Sequence, residues 1–334
     1  MTSRAAGTPG EQGDLPTGTV ASRTQLQIFW ARLRRHRIGL IAAVALAMLV
    51  LTTIIYPIVS PFSWDGTDEF HQKESPGWPH IFGTGELGED IFSQVMYGGR
   101  TSLLIGVAAA LVSVLIGALS GAVAGYFGGW VDGVISRITD IFLTLPGLAT
   151  LAALAAAVGK LSIPAIVLII AAISWMSVTR LVRGEFISLK ERDFVQAARA
   201  SGVRPWRIIW RHIMPGAVPI IVVSATLLVG TAIILEATLS FLGIGLAYID
   251  NPSWGNIIQH SQEGVLLGRW WGVVFPGLII VLTVLFVSFL GDALRDALDP
   301  HGNRATSNDK GPEPAVEEGS EHRLRSPLTG EVGS

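Results

Sequence analysis

Long apolar segments constrain the possible folds of this chain more than any other feature. A transmembrane helix needs about 20 mostly apolar residues to cross roughly 30 Å of hydrocarbon. Six segments meet this requirement, at residues 38–60, 101–125, 134–158, 163–182, 216–239 and 271–290. Segment 134–158 meets it least well, because it contains Arg137, Asp140 and Pro146. The sequence therefore predicts an all-α membrane protein with six transmembrane helices.

Composition excludes several other classes of protein. Of the 334 residues, 50% are hydrophobic and only 15% are charged, and the mean hydropathy is +0.50. A soluble domain carries about 25% charged residues. This difference argues against a nucleic-acid-binding protein, a disordered scaffold and most cytosolic enzymes. The sequence has no cysteine, which excludes disulfides, a thiolate nucleophile and cysteine-ligated metal centres.

The distribution of charge predicts the orientation in the membrane. Arginine and lysine are concentrated before the first span and between the fourth and fifth spans, whereas segment 61–99 is acidic. Basic residues near span ends remain in the cytoplasm, so we expect both termini inside and the acidic segment outside. The first apolar run is longer than the core of a cleaved signal peptide, so we expect it to be retained as a span.

These features divide the chain into five regions. Both ends are polar and rich in small residues, so they cannot bury enough apolar surface to fold. The predicted regions are a disordered cytoplasmic tail at 1–24, an N-terminal segment with the first span at 25–60, an outside loop at 61–100, a five-helix core at 101–300 that contains a cytoplasmic loop at 188–215, and a second disordered tail at 301–334.

The cytoplasmic loop has the pattern of two short amphipathic helices. Residues 189–201 form the first, with Phe194, Ala197, Ala198 and Ser201 on one face. Gly202 follows at the position where a helix ends in a left-handed turn, and proline at position 205 suits the first turn of a second helix. The residue chemistry leaves three interpretations open: contact with anionic lipid headgroups, packing on the chain's own bundle, or docking of a partner protein.

The loop resembles the EAA loop of ABC importer permeases. That loop usually reads Glu-Ala-Ala, three residues, Gly, nine residues, Ile-x-Leu-Pro. Here Gln196-Ala197-Ala198 is followed at the same spacing by Gly202 and by residues 212–215, His-Ile-Met-Pro. Gln, His and Met replace the usual Glu, Ile and Leu, while the two alanines, the glycine and the proline keep their spacing.

Further motifs resemble the dipeptide/oligopeptide/nickel permease family, and the N-terminal arrangement is similar to that of its C-type subunit. They lie at residues 82–90 and 97–103 before the second span, at 125–132 after it, and at 236–243 and 291–300. The resemblance covers residues 25–300. It implies a type I ABC importer permease fold, with six spans and a cytoplasmic two-helix coupling loop.

The resemblance also implies partners and docking residues. The chain would pair with a second homologous permease subunit, one or two ABC ATPase subunits and an extracytoplasmic solute-binding protein, in a bacterial plasma (inner) membrane and without nucleic acid. The ATPase would be contacted by a set around the coupling loop, namely Arg192, Asp193, Gln196, Ala197, Ala198, Arg199, Gly202 and Pro215. The chain has no phosphate-binding Gly-x-x-x-x-Gly-Lys-Ser/Thr motif, so ATP and Mg²⁺ are expected on the partner ATPases and no cofactor on this chain.

Two acidic residues lie within predicted spans. Charged groups inside a membrane are costly and often functional, so Asp140 and Glu236 are candidates for contacts with substrate or protons. The alternative is structural: Asp140 would pair with Arg137 or Arg180, and Glu236 would be a hydrogen-bonded residue near the outer end of the fifth span. No histidine pair has the spacing of metal ligands on a helix, so no metal site is predicted.

Three classes of function remain to be compared. A stand-alone secondary transporter or channel would need ion-coupling carboxylates in mid-membrane, and a membrane enzyme would need a catalytic cluster; the sequence predicts neither. An importer permease explains the cytoplasmic loop. Peptides are the first expectation for the cargo, with nickel or another small solute as the alternative. The outside segment 240–270 is interpreted equally well as a contact for the binding protein, a gate or a structural loop.

Overall fold

The computed structural model describes residues 30–34 and 36–298, and this part of the chain is helical with no strand. The predicted tails at 1–24 and 301–334 lie outside the described residues. The helices are α1 (Arg37–Val59), α2 (Ile91–Phe127), α3 (Gly129–Thr144), α4 (Gly147–Val158), α5 (Ile163–Lys190), α6 (Asp193–Ala200), α7 (Pro205–Phe241), α8 (Trp254–Val265) and α9 (Trp271–Leu298).

Five of these helices are long and apolar enough to cross a membrane on their own: α1, α2, α5, α7 and α9. The predicted span at 134–158 consists of two helices, α3 and α4, which meet at an angle of 93° and together are long and apolar enough to count as a sixth, broken span. The break falls at Leu145, whose backbone is extended (φ −76°, ψ 141°) immediately before Pro146. Proline has no N–H for the helix ladder, and its ring disfavours a helical backbone in the preceding residue.

The centre of the bundle is a close contact between α2 and α5. Glycines recur every fourth residue on α2, at Gly117, Gly121 and Gly125. A Cβ added at the first would lie 2.6 Å from the Cβ of Val178, and one added at the last would lie 2.6 Å from the Cβ of Phe186. Small residues at this spacing allow the backbones of membrane helices to approach closely, which strengthens dispersion contacts.

Helix α1 lies at the edge of the bundle, against α2 and α9. Pro57 leaves the carbonyl of Thr53 without its usual N–H partner four residues later. Arg100 of α2 replaces that donor: its Nε donates to the Thr53 carbonyl at 2.8 Å, and its Nη2 donates to the carbonyl of Ile54. The Arg100 guanidinium therefore satisfies the backbone of the neighbouring helix and fastens α1 to α2.

The segment between α1 and α2 is folded onto the end of the bundle. Asp90 caps α2 by accepting hydrogen bonds at 2.7 Å from both the backbone N–H and the hydroxyl of Ser93. The same carboxylate lies 3.0 Å from Nδ1 of His80, and both side chains are about 95% buried. We call residues 61–90 the acidic segment. The end of the bundle on which they lie is called the acidic-segment end.

Helix α8 lies at the same end and was not predicted as a helix. It begins with a capping box, in which Ser253 and Asn256 each bond the other's backbone N–H. Its first residue, Trp254, is fully buried, and the indole Nε1 donates to the Val95 carbonyl at 2.9 Å. Segment 240–270, which the sequence analysis treated as an outside segment without a helix, therefore contains a helix packed on α2, α7 and α9.

Candidate coupling surface and buried polar sites

The predicted coupling loop contains helix α6, with bounds different from those expected. The sequence predicted a helix over 189–201, but α5 continues to Lys190 and the chain breaks at the next two residues. Arg192 takes an extended backbone at the N-cap (φ −72°, ψ 146°), and Asp193 lies in the first turn of α6. A carboxylate in the first turn is favoured by the positive end of the helix dipole. Helix α6 is therefore a separate element and not an extension of α5.

Helix α6 ends at Gly202, as the sequence predicted. Gly202 has φ +72°, a backbone conformation that costs glycine little and other residues more. The N–H of Gly202 donates to the Arg199 carbonyl at 2.9 Å, and the N–H of Val203 donates to the Ala198 carbonyl at 3.2 Å. This pair of bonds is the Schellman motif. It turns the chain sharply into α7.

The face of α6 that packs on the bundle is Val195 and Ala198, which are 0% and 9% exposed. They join a cluster with Phe186 and with the start of α7. The predicted common face of Phe194, Ala197, Ala198 and Ser201 is wrong, because Ala198 points inward while the other three are exposed.

The remaining seven predicted docking residues lie on the surface. They are Arg192, Asp193, Gln196, Ala197, Arg199, Gly202 and Pro215.

Three basic side chains tie this region to the turn between α2 and α3. Lys190 Nζ donates to the Gly125 carbonyl at 3.2 Å. The Arg199 guanidinium lies over the Tyr126 ring, 5.1 Å from its centroid, a favourable cation–π contact. Arg183 forms a two-pronged ion pair with Asp132 in the first turn of α3. Helix α6 is therefore held against both α5 and the α2–α3 turn.

The second predicted helix of the loop is continuous with the fifth predicted span. Helix α7 runs from Pro205 to Phe241, with one wider π-helical turn at Ile209–Ile213. That turn lies just before Pro215, whose ring would clash with the carbonyl of an ideal α-helix. The wide turn accommodates Pro215, and the loop and the span form one helix.

The structure selects one partner for Asp140. Its carboxylate accepts a hydrogen bond from Arg180 Nη2 at 2.5 Å. Both side chains remain about half exposed on the described chain, and they lie beside apolar residues of α3 and α4 that are also exposed. The pair agrees with the structural interpretation of Asp140, and its surroundings form a face without a covering helix among the described residues.

Glu236 is the one acidic residue that the described chain buries completely, at 0% exposure. It lies in α7 near the acidic-segment end. Ser102 of α2 donates to one carboxylate oxygen at 2.9 Å, and Ser240 donates to the other at 2.8 Å. The Ser253 hydroxyl, at the N-cap of α8, also interacts with this carboxylate.

A cavity of about 430 Å³ opens at the acidic-segment end, between that segment, α8 and the start of α9. Arg269 lines it and pairs with Glu86 at 3.0 Å, and Gln94, Tyr248 and His260 also contribute to its wall. Burial raises the pKa of Tyr248. Within residues 30–34 and 36–298, no three His, Asp or Glu side chains come together as metal ligands.

Sequence reasoning missed three features that position these groups. The recurrence of glycine every fourth residue at 117–125 was visible and is a known signal for close helix contacts. Arg100 next to an apolar run signalled a backbone or acidic partner. The start of α8 carried a weaker signal, Ser-Trp-Gly-Asn, in which serine followed by asparagine three residues later forms the capping box.

The fold defines a class, a multi-pass membrane bundle with a short amphipathic helix held at one end. The chain belongs to the family described as binding-protein-dependent transport system inner membrane component, which matches residues 113–303. Residues 24–76 match the N-terminal transmembrane domain of oligopeptide transport permease C. The predicted family is therefore confirmed, and the chain is a transport component of the inner membrane and not an enzyme.

Named relatives cover most of the chain. It is 40% identical over 279 residues to the glutathione transport system permease protein GsiD of Shigella flexneri, which covers 83% of this chain and 91% of that protein. It is 38% identical over 269 residues to the dipeptide transport system permease protein DppC of Alkalihalophilus pseudofirmus, covering 80% and 88%.

A solved structure shows the same fold. The inward-facing MetNI methionine ABC transporter superposes with a TM-score of 0.51 at 20% identity, over 62% of this chain and 97% of that chain. The predicted fold class is therefore confirmed. Members of this family work with an ATPase and a substrate-binding protein, as the resemblance implied.

Proposed function

We propose that this chain is one of two permease subunits of an ATP-driven importer for peptides. The support is the similarity to permeases named for dipeptide and for glutathione, which is itself a tripeptide, over four-fifths of the chain. One chain provides half of the translocation path. Two homologous permease subunits, one or two ATPase subunits and a solute-binding protein complete the importer.

The observation that carries this proposal is the anchored helix α6. Its buried face, Val195 and Ala198, is fixed to the bundle, and its opposite face presents small and polar groups. We assign the ATPase contact to this exposed face, centred on Gln196, Ala197 and Gly202. Ala198 supports the contact from below, since its side chain is buried. ATP and Mg²⁺ bind the ATPase subunits in this proposal, and this chain transmits their motion.

The second permease subunit is assigned to the exposed face of α3 and α4. This face carries apolar side chains such as Ile138, Ile141 and Leu148 together with the Asp140–Arg180 pair. Lipid would cover the apolar residues well but would leave a half-exposed ion pair poorly solvated. A protein surface or an aqueous path beside the pair removes that cost.

In the proposed orientation of the chain in the membrane, the coupling loop and both termini lie in the cytoplasm. The basic residues around α6 and the acidic residues of segment 61–90 support it. The solute-binding protein then meets the acidic-segment end, where the rim of the cavity exposes Leu87 and Ile249.

Reconstitution tests the cargo. The chain and its genetically linked permease, ATPase and binding-protein partners are purified together and placed in proteoliposomes, with ATP supplied at the ATPase side. We expect uptake of labelled di- or tripeptide that requires both the binding protein and ATP hydrolysis. Uptake of nickel or another solute with no peptide uptake would contradict the peptide assignment. Transport by the chain alone without ATP would contradict the importer.

A further inference from the structure

Glu236 joins three helices at the acidic-segment end. The carboxylate belongs to α7, and its hydroxyl donors are Ser102 of α2 and Ser240 of α7. Ser102 also accepts a hydrogen bond at 3.2 Å from the backbone N–H of Trp254, the first residue of α8. A chain of hydrogen bonds therefore runs from α7 through α2 to the start of α8.

Close backbone packing surrounds this chain of bonds. A Cβ added to Gly255 of α8 would lie 2.5 Å from the Ala237 carbonyl oxygen of α7. A Cβ added to Gly98 of α2 would lie 3.1 Å from the backbone of Ser253. The start of α8 is thus pressed against both spans at the level of Glu236, and small shifts of α8 cannot be absorbed by loose side chains.

Burial of the Glu236 carboxylate has a desolvation cost, which its hydrogen bonds to neighbouring helices must offset. A buried carboxylate is stable only when its oxygens are hydrogen-bonded, and no cation forms an ion pair with Glu236 in the described chain. An apolar side chain at position 236 would avoid the desolvation cost. It would also leave the Ser102 and Ser240 hydroxyls without their acceptor.

The far end of α7 is the coupling loop. From position 236 back to position 205 the helix is continuous, a distance of about 47 Å at 1.5 Å per residue. One helix therefore connects Glu236 with the segment that packs on α6.

We propose that Glu236 is a positioning residue that holds α8 against α7 and α2. When the binding protein contacts the acidic-segment end and displaces α8, this connection transmits the displacement through α7 to the coupling loop. This inference rests on the proposed importer function. It assigns Glu236 no contact with substrate or with protons in transit.

The test compares four variants in the assembled complex. Glu236→Ala removes the acceptor, Glu236→Gln keeps one carbonyl oxygen, and Ser240→Ala removes one donor. Thr238→Ala is the matched control, because Thr238 is half-buried on the same turn and its hydroxyl bonds its own helix, to the Ile234 carbonyl at 2.7 Å. Two quantities are measured: hydrogen exchange of residues 254–258, and ATPase activity with and without substrate-loaded binding protein.

We expect Glu236→Ala to speed exchange at 254–258 at least tenfold and to abolish most of the stimulation by binding protein, with basal ATPase activity unchanged. Glu236→Gln and Ser240→Ala should lose part of the protection from exchange and part of the stimulation. Thr238→Ala should keep the protection and the stimulation of the wild type. Unchanged exchange in α8, or an equal fall in basal and stimulated activity, would overturn the inference. If the complex with Glu236→Ala does not assemble, the same two measurements on Ser240→Ala decide whether the inference holds.

Failure of the importer proposal is distinguishable from failure of this inference. A wild-type complex that shows no stimulation contradicts the importer, and the exchange measurement then still decides whether Glu236 holds α8. Wild-type stimulation that persists in all variants contradicts only the role of Glu236.

Discussion

Gly202 combines a left-handed backbone with an open surface. Its φ of +72° disfavours side chains, yet an added Cβ would meet no atom within 4 Å. Any effect of a substitution on assembly therefore comes from backbone strain, of about 1–2 kcal/mol for an ordinary residue, or from contact with a partner. These two causes can be separated by the choice of variants.

We predict that Gly202→Leu lowers ATP-driven uptake at least tenfold while the chain still inserts into the membrane. Gly202→Asn should retain more activity, because asparagine tolerates a left-handed backbone. Gly243→Leu is the control: Gly243 has φ +74°, is equally open and closes the same pair of backbone hydrogen bonds at the other end of α7. Uptake at the wild-type rate by Gly202→Leu would refute docking at this glycine.

The Asp68–His71 pair makes the acidic segment sensitive to pH. The two side chains lie 2.7 Å apart. Their hydrogen bond raises the pKa of His71 and lowers the pKa of Asp68. The stabilisation from His71 is complete below about pH 6.5 and is lost as pH rises through its raised pKa; that from Asp68 is complete above about pH 3.9 and is lost as pH falls through its lowered pKa.

We therefore predict that amide protection of residues 68–74 is greatest at about pH 4–6.5 and falls at alkaline pH. Hydrogen exchange, corrected for the intrinsic rate at each pH, measures this protection. His71→Gln should remove the alkaline change. The same pH profile in wild type and His71→Gln would show that the Asp68–His71 pair does not control the segment.

At the scale of helices, the α2–α5 contact depends on the absence of side chains. A Cβ added to Gly121 would lie 2.7 Å from the Thr179 carbonyl oxygen, an atom of the rigid backbone of α5. Relief of that clash requires the two helices to separate, and overpacking of this kind costs about 1–3 kcal/mol.

Gly121→Leu should accordingly lower the thermal midpoint of the purified protein and reduce its yield. Gly277→Leu is the matched control, since this glycine lies within α9 and has open space where a Cβ would be added. Differential scanning fluorimetry in detergent gives both midpoints. Equal midpoints for the two variants would contradict a close α2–α5 contact.

For the whole molecule, the orientation can be measured directly because the sequence has no cysteine. Single cysteines at Glu69 in the acidic segment and at Gln196 in α6 occupy opposite ends of the bundle. We predict that a membrane-impermeant maleimide labels Glu69→Cys in intact cells and Gln196→Cys only after permeabilisation. The reverse pattern would invert the topology and remove the cytoplasmic ATPase contact.

Apolar length and local spacing led to correct predictions where local physics decides. Five spans, the helix end at Gly202 and the family motifs depend on residues close together in the sequence. A hydrophobic run must leave water, and a left-handed turn favours glycine regardless of distant contacts. These features were accessible without coordinates.

Predictions failed where one element is shaped by another. Hydropathy at 134–158 cannot distinguish a straight helix from one bent by 93°, because it does not record direction. The spacing of residues around Ala198 did not show which face of α6 packs against Phe186. The sequence also left two arginines, Arg137 and Arg180, as possible partners of Asp140. Each answer depends on how distant helices pack.

The sequence by itself determined that this chain is a multi-pass membrane protein with an EAA-like loop, because solvation and turn geometry act locally. Only the tertiary structure decided that the loop and the fifth span are one helix, that α8 exists, and that Glu236 is buried among hydroxyls from two helices. The site of Glu236 depends on side chains more than a hundred residues apart, such as Ser102 and Glu236, and only the packed bundle brings such side chains together.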